Sequence, residues 1–390
     1  MVRIKLDLPV DSTFLSQIIY GGIVYIISRY GISFNAREAV VEDNFLKDFF
    51  GKLDDYKDIR IVLTGNDNVN TELFKKFNLN SVRSKKVLND LFSSLQENST
   101  ILETRSEISL KQTVRGKDVL FDIDSKKDGI SFQLLKVDRY TGFTSTDLNY
   151  TAKQLTSYFS KELILLSLVG IYSSYITTSL TPSSKGLIPT YYFLFLSPEE
   201  TLDLLSKGDL EFLKKCVSVK NIVREVIKEI ISFSQTNEML LLELMLNVKL
   251  HESMEKHNLE KISTTMFKLC PEGQTYKIYE NIPLTIFRET LFNYKIKEYY
   301  GPKYLNFIKS VQFFLNDGHV RSALMSFTSR NKRKEADSIL LAIQHLYKFV
   351  TLGDTQHLFN FMREILNAHE KIKDKEGWSP YLNILKHFPY

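Results

Sequence analysis

Two cysteines, one tryptophan, nine prolines and sixteen glycines in 390 residues deny several architectures their material. Two thiols, Cys216 and Cys270, cannot staple a chain of this length, and neither sits in a zinc-ligand spacing. Both read as small buried hydrophobes of a reducing compartment. So few prolines and glycines predict long regular elements with few loops. No run of apolar residues reaches the roughly 20 needed to cross a bilayer. The most apolar stretch, Leu163 to Ile176, is interrupted by Ser167, Ser173 and Ser174 and reads as a buried helix. The start, Met1-Val2-Arg3-Ile4-Lys5, alternates charged and apolar residues, so no signal peptide is expected. A cytoplasmic protein without a membrane segment follows.

What is present is ordinary for a folded chain: 43% hydrophobic and 25% charged residues, enough to build a core without disulfides or metal. The length suggests two or three domains. A net charge of +5 and a pI near 8.8 permit contact with a polyanion without demanding it. Abundant Lys and Glu with scarce Cys suit a thermophile.

Ile4, Leu6, Leu8 and Val10 alternate with polar residues and predict an opening strand. Asp11 or Ser12 is placed to cap a helix that continues past Gly21-Gly22. A buried strand is expected at Ile59–Leu63, ending in the turn at Gly65-Asn66-Asp67-Asn68. Helices are expected at 71–77 and 85–95. Residues 100–140 read as an antiparallel meander, with Asp128-Gly129 joining Val119–Ile123 to Ile130–Val137. A long helix is predicted from Leu148 to Ile176, then a central strand, Ile188–Leu196, buried on both faces. Ser197-Pro198-Glu199-Glu200 has the form of a capping box with Pro at the first helical position. Beyond it the pattern is helical, with a hairpin at 264–279 and helices near 302–316, 319–329, 334–350, 355–372 and 378–387. The fold class expected is α+β. Its divisions are a mixed α/β part with the meander at 1–147, a buried helix and aromatic strand at 148–200, and a mainly helical part at 201–390.

No catalytic motif is found. Thr64-Gly65-Asn66-Asp67 lacks the glycines and lysine of a phosphate loop, and no Gly-X-Ser-X-Gly elbow occurs. Asp122 and Asp124, at alternate positions of an expected strand, would share a face as paired metal-binding acids do. Two solvated acids on a hairpin are the plainer reading. All seven histidines (His251, His257, His319, His345, His357, His369 and His387) lie in the C-terminal half, without the spacing of a zinc helix. Neither metal nor other cofactor is expected.

The most distinctive local feature is basic. Arg330-Asn331-Lys332-Arg333-Lys334 lies between two expected helices, with Arg321 one helix upstream. Such a run neutralises phosphates or simply makes a solvated turn. Lys75, Lys76, Arg83, Lys85 and Lys86 form a looser group, and Lys126-Lys127 a third.

Several stretches resemble the large subunit of archaeal type I-A CRISPR effector complexes (Cascade). They are Gly170-Ile171-Tyr172-Ser173-Ser174-Tyr175 leading to Tyr191-Tyr192-Phe193-Leu194-Phe195-Leu196-Ser197-Pro198-Glu199, then Tyr276-Lys277-Ile278-Tyr279-Glu280 with Ile282-Pro283-Leu284, and the helix containing Phe361-Met362-Arg363. The resemblance covers the central and C-terminal thirds through no specific motif. It implies a non-catalytic antiviral-defence subunit with an α/β front and a helical bundle behind. Its partners would be the backbone subunits, the 5′ end of a guide RNA and duplex DNA, with cleavage left to a separate helicase–nuclease. No membrane and no small-molecule substrate are implied. The candidate nucleic-acid-binding residues, taken from charge alone, are Arg321, Arg330, Lys332, Arg333, Lys334, Lys85 and Lys86. The competing readings are a metal-dependent nuclease using Asp122 and Asp124, and a helical scaffold without nucleic-acid contact.

Overall fold

A computed structural model describes residues 1–64, 67–79, 88–140, 156–183, 186–231, 236–288, 291–328, 332–374 and 376–388. The chain is an α+β protein, with mixed sheets towards the front and a mostly helical rear. It divides into two compact units, Met1–Arg224 with Ile262–Thr285, and Glu225–Lys261 with Ile286–Tyr390. This differs from the divisions expected near 147 and 200. The hairpin expected within the helical part joins the first unit instead, because its inner strand pairs with the aromatic strand.

In the first unit β1 (Val2–Lys5) precedes a long helix, α1 (Phe14–Tyr30). Its cap is Thr13, whose hydroxyl accepts the Ser16 N–H; Asp11 in turn fixes Thr13 through the Thr13 N–H at 2.9 Å. Strands β2 (Gly31–Phe34) and β3 (Glu38–Val41) follow, with helices α2 (Phe45–Gly51), α3 (Asp67–Lys76) and α4 (Leu88–Glu97) before β4 (Glu107–Ser109). They make a sheet ordered β2-β3-β1-β4, antiparallel except for β1 with β4.

The run Ile59–Leu63 buries Ile59, Ile61 and Leu63 as its alternation demands but is not a regular strand. Two buried tyrosines bind its backbone where a neighbouring strand would. The Tyr191 hydroxyl accepts the Val62 N–H at 3.1 Å. That of Tyr276 donates to the Val62 carbonyl at 2.5 Å and accepts the Thr64 N–H at 3.2 Å.

The meander is reorganised. β5 (Gln112–Arg115) and β6 (Asp118–Phe121) form a hairpin through Gly116, and β6 then pairs in parallel with β7 (Thr156–Phe159). The expected Asp128-Gly129 hairpin is absent, because Asp122, in the left-handed region at φ 59°, ends β6. Ile130 makes a single bridge to Phe159, and Gln133–Tyr140 is a 3-10 helix.

The helix predicted to start at Leu148 starts at Lys161 in α5 (Lys161–Ser174). Ser160 caps it by accepting the Leu163 N–H, and residues 148–155 lie outside the described part of the chain. The serines that interrupt this apolar helix turn back on their own backbone: Ser167 Oγ donates to the Leu163 carbonyl at 2.7 Å.

Strands β8 (Tyr175–Ser183) and β9 (Gly186–Leu196), the capped helix α6 (Pro198–Lys207) and α7 (Leu210–Ile231) come next. The hairpin β10 (Lys261–Glu272) and β11 (Thr275–Phe287) completes a sheet ordered β11-β10-β9-β8. The aromatic run of β9 is core, as expected, with Tyr191, Phe193, Leu194, Phe195 and Leu196 all buried. Phe14 of α1 meets Phe193, Phe195 and Phe267 edge to face, with centroids at 5.3, 5.8 and 5.5 Å.

The second unit holds α8 (Asn237–Met245), α9 (Val248–Lys256), α10 (Leu291–Tyr300), α11 (Tyr304–Asn316), α12 (Gly318–Met325), α13 (Ala336–Leu352), α14 (Thr355–Ile372) and α15 (Pro380–His387). Three- and four-residue apolar spacing gives each of α11, α13 and α14 one buried stripe, and these stripes share a core containing Phe307, Phe314, Leu346, Phe349, Phe361 and Ile365. Asp354 caps α14, accepting the Gln356 N–H at 2.9 Å. Among the described residues no helix is long and apolar enough to cross a membrane.

Candidate nucleic-acid interface

Helix α3 carries Lys75 and Lys76 in its last turn, where cations also complement the helix dipole. The Lys76 ammonium donates to the Lys127 carbonyl at 2.7 Å. That bond draws the 125–129 turn against the helix end and merges two basic groups that stand 50 residues apart in sequence. Lys161, at the start of α5, places its ammonium 6.0 Å above the ring of Phe77, the residue after Lys76. The end of α3 therefore gathers Lys75 and Lys76, the turn bearing Lys126 and Lys127, and Lys161. Lys126 is partly offset by Asp118 at 3.5 Å, and Asp124 and Asp128 are exposed on the same turn. Of the other basic positions expected in this group, Lys85 and Lys86 lie outside the described residues, as does Arg83.

Two members of the basic run between α12 and α13, Lys332 and Arg333, are already engaged within the protein. Lys332 pairs with Asp337 at 2.5 Å and sits 4.6 Å above the Phe327 ring. Arg333 reaches Glu335 at 3.6 Å, and its backbone N–H donates to Ser326 Oγ at 3.0 Å. Glu335 is buried and accepts from the Tyr381 hydroxyl at 3.5 Å. Arg321 donates to the Leu315 carbonyl at 3.3 Å and to Asn316. Lys334 is exposed, and Arg330 lies outside the described residues. Pairing with Asp337 and Glu335 reduces what this corner offers a phosphate, because each internal ion pair must be given up or shared.

The two acids once expected on one strand face separate. Asp122, one residue past β6, turns inward, where it binds Arg105 and accepts the Ser109 N–H at 3.1 Å. Arg105 also reaches the buried Glu162 at 3.1 Å. Burial raises the Asp122 carboxyl above its ordinary range, against the lowering effect of Ser160 and Arg105. Asp124 is exposed on the turn. A guanidinium therefore occupies the Asp122 carboxylate where a paired metal site would need it free.

The thiols are inert, as the composition suggests: burial pushes Cys216 up to about 12 and also raises Cys270, which contacts Thr190 Oγ1 at 3.3 Å. A feature with no sequence signal is Lys220, buried in α7, whose ammonium donates to the Ser173 carbonyl at 2.7 Å. Arg224 reaches the same oxygen at 3.2 Å and that of Tyr172 at 3.3 Å. Two basic side chains from one helix thus close the C-terminal end of α5, where the dipole favours positive charge.

No protein-family model matches the chain, and no solved structure matches it. It is 44% identical over 395 residues to an uncharacterized protein of Archaeoglobus fulgidus, with 99% of each chain covered. The chain belongs to that protein's family. End-to-end coverage means that both units are shared within the family, including the discontinuous unit that takes in the β10–β11 hairpin.

Chemically, the five lysines offer point charges without a fork for bidentate recognition. Such groups hold phosphates in place and do not read base edges.

Proposed function

We propose that the chain is a nucleic-acid-binding subunit that grips a phosphate backbone through Lys75, Lys76, Lys126, Lys127 and Lys161. The observation that carries this reading is the Lys76–Lys127 hydrogen bond, which turns two scattered basic groups into one surface. Cations there outnumber the acids Asp118, Asp124 and Asp128. In line with the resemblance to Cascade large subunits, the bound molecules are a guide RNA and a target duplex. The partners are the other subunits of an RNA-guided antiviral complex in the cytoplasm. Binding without cleavage accords with Asp122 being committed to Arg105.

The test is a gentle purification of the tagged full-length protein from its native host, followed by analysis of co-purifying RNA and protein. A uniform small RNA with several stoichiometric partners, released from a variant lacking the five lysines, is the expected result. A clean monomer that binds neither duplex DNA nor RNA at low salt would overturn the reading.

A further inference from the structure

Helices α13 and α14 form an antiparallel hairpin whose turn is fixed by two local devices. Gly353 takes the left-handed conformation at φ 66°, and Asp354 caps the second helix. Leu346 and Phe349 of α13 and Phe361 and Ile365 of α14 are buried in the same core, which locks the pairing. The hairpin brings His345 and His357 together, with Nδ1 facing Nδ1 at 3.2 Å, ring centroids 5.4 Å apart and an interplanar angle of 29°.

A nitrogen pair at this distance has two uses. In the metal-free protein one Nδ1–H donates to the lone pair of the other ring, so a single proton holds both nitrogens. A metal ion can take that proton's place. Zinc binds imidazole nitrogen at about 2.0–2.1 Å, and tetrahedral geometry then sets neighbouring nitrogens about 3.3–3.4 Å apart. The observed separation needs only a slight opening. Both histidines are partly buried, open enough for an ion to enter yet held by their helices.

We propose that His345 and His357 form a binding site for a divalent transition-metal ion of the zinc, nickel or copper class, for which imidazole is a favoured ligand. Among the described residues no third His, Cys, Asp or Glu joins them, so water fills the remaining positions. Lys348, Arg363 and Glu364 act electrostatically on His345. The Glu364 carboxylate is held by Asn367 at 3.1 Å, with Arg363 at 3.9 Å. A two-histidine site of this kind takes up and releases its ion readily, and protons compete with it as pH falls.

The probe is zinc chloride, titrated calorimetrically into the full-length protein near neutral pH in a non-chelating buffer. The wild type is expected to bind zinc at this site. His345→Gln and His357→Gln should each weaken that binding by at least about tenfold, while His319→Gln leaves it intact. Absence of zinc binding in the wild type, or wild-type affinity in both variants, would overturn the proposal. A second readout needs no variant: zinc must move the ring resonances of His345 and His357 in the wild-type NMR spectrum, and shifts confined to other histidines would refute the assignment.

Discussion

Gly22 of α1 and Gly170 of α5 meet backbone against backbone. A methyl group built on Gly22 would stand 3.0 Å from the Gly170 nitrogen and overlap the Leu166 carbonyl oxygen. One built on Gly170 would overlap the Ile18 carbonyl oxygen. Ser173 Oγ bridges the same crossing by donating to the Gly21 carbonyl at 3.4 Å. Both helices are buried nearly all round, so their separation is set by the smallest side chains between them.

Replacing either glycine by alanine should therefore push the helices apart. Gly22→Ala and Gly170→Ala are each expected to lose about 1–3 kcal/mol or more by overpacking. Adding Ala at both positions should not restore stability. Gly21→Ala, whose added methyl would meet only the Phe195 ring at 3.2 Å, should cost less. Chemical denaturation of these four variants provides the comparison.

The five-lysine surface predicts a change in salt dependence. Lys75→Ala, Lys76→Ala, Lys126→Ala and Lys127→Ala together should weaken binding to any duplex sequence. They should also reduce the magnitude of the slope of log affinity against log salt by about 2 or more. Lys332→Ala and Arg333→Ala should have the smaller effect, since Asp337 and Glu335 already engage those groups. The reverse order would move the interface to the α12–α13 corner.

Lys220 predicts a pH response of stability. Burial lowers its amine to about 7, whereas an unfolded lysine titrates near about 10.4. Between those values the unfolded chain retains a proton that the folded chain has released, so stability increases as pH rises through the window. Below about 7 both states are protonated and the cost of burying the charge is fully present. Urea unfolding should show wild-type stability rising by at least about 1 kcal/mol from about pH 7 to about pH 9. Lys220→Met should flatten that rise. Above the ordinary tyrosine value the trend should reverse, because burial raises Tyr20, Tyr276 and Tyr381 and their protons are then kept only in the folded state.

Asp122 and Asp124 should behave as unlike residues. Asp122→Ala removes a partner of Arg105 and of the Ser109 N–H, and should cost about 1–3 kcal/mol. Asp124→Ala, on an exposed turn, should stay within about 0.5 kcal/mol of wild type. Equal loss of a divalent-dependent cleavage activity in both variants, with folding intact, would instead support paired metal ligands.

Local chemistry in the sequence determined much of this molecule. The Ser197-Pro198 start of α6, the Asp354 cap and the stripes of α11, α13 and α14 rest on neighbouring residues, whose spacing is visible in one dimension. The burial of Tyr191 and of Phe193 to Leu196 was equally legible, since so aromatic a run has no other stable place. Glu200 marks where local reasoning stopped. Its N–H does donate to Ser197 Oγ at 3.2 Å, but its carboxylate accepts the Ser263 N–H at 3.2 Å, while the Ser197 N–H goes to the Ser263 carbonyl. A capping box opened outwards thus holds a strand more than 60 residues away. The tertiary structure alone decided such matters: which sheet received the β10–β11 hairpin, that Asp122 met a guanidinium, that Lys76 met Lys127 and that His345 met His357. Each depends on where separate segments come to rest, and that is set by packing of whole elements against one another, for which neither composition nor short-range periodicity carries a signal.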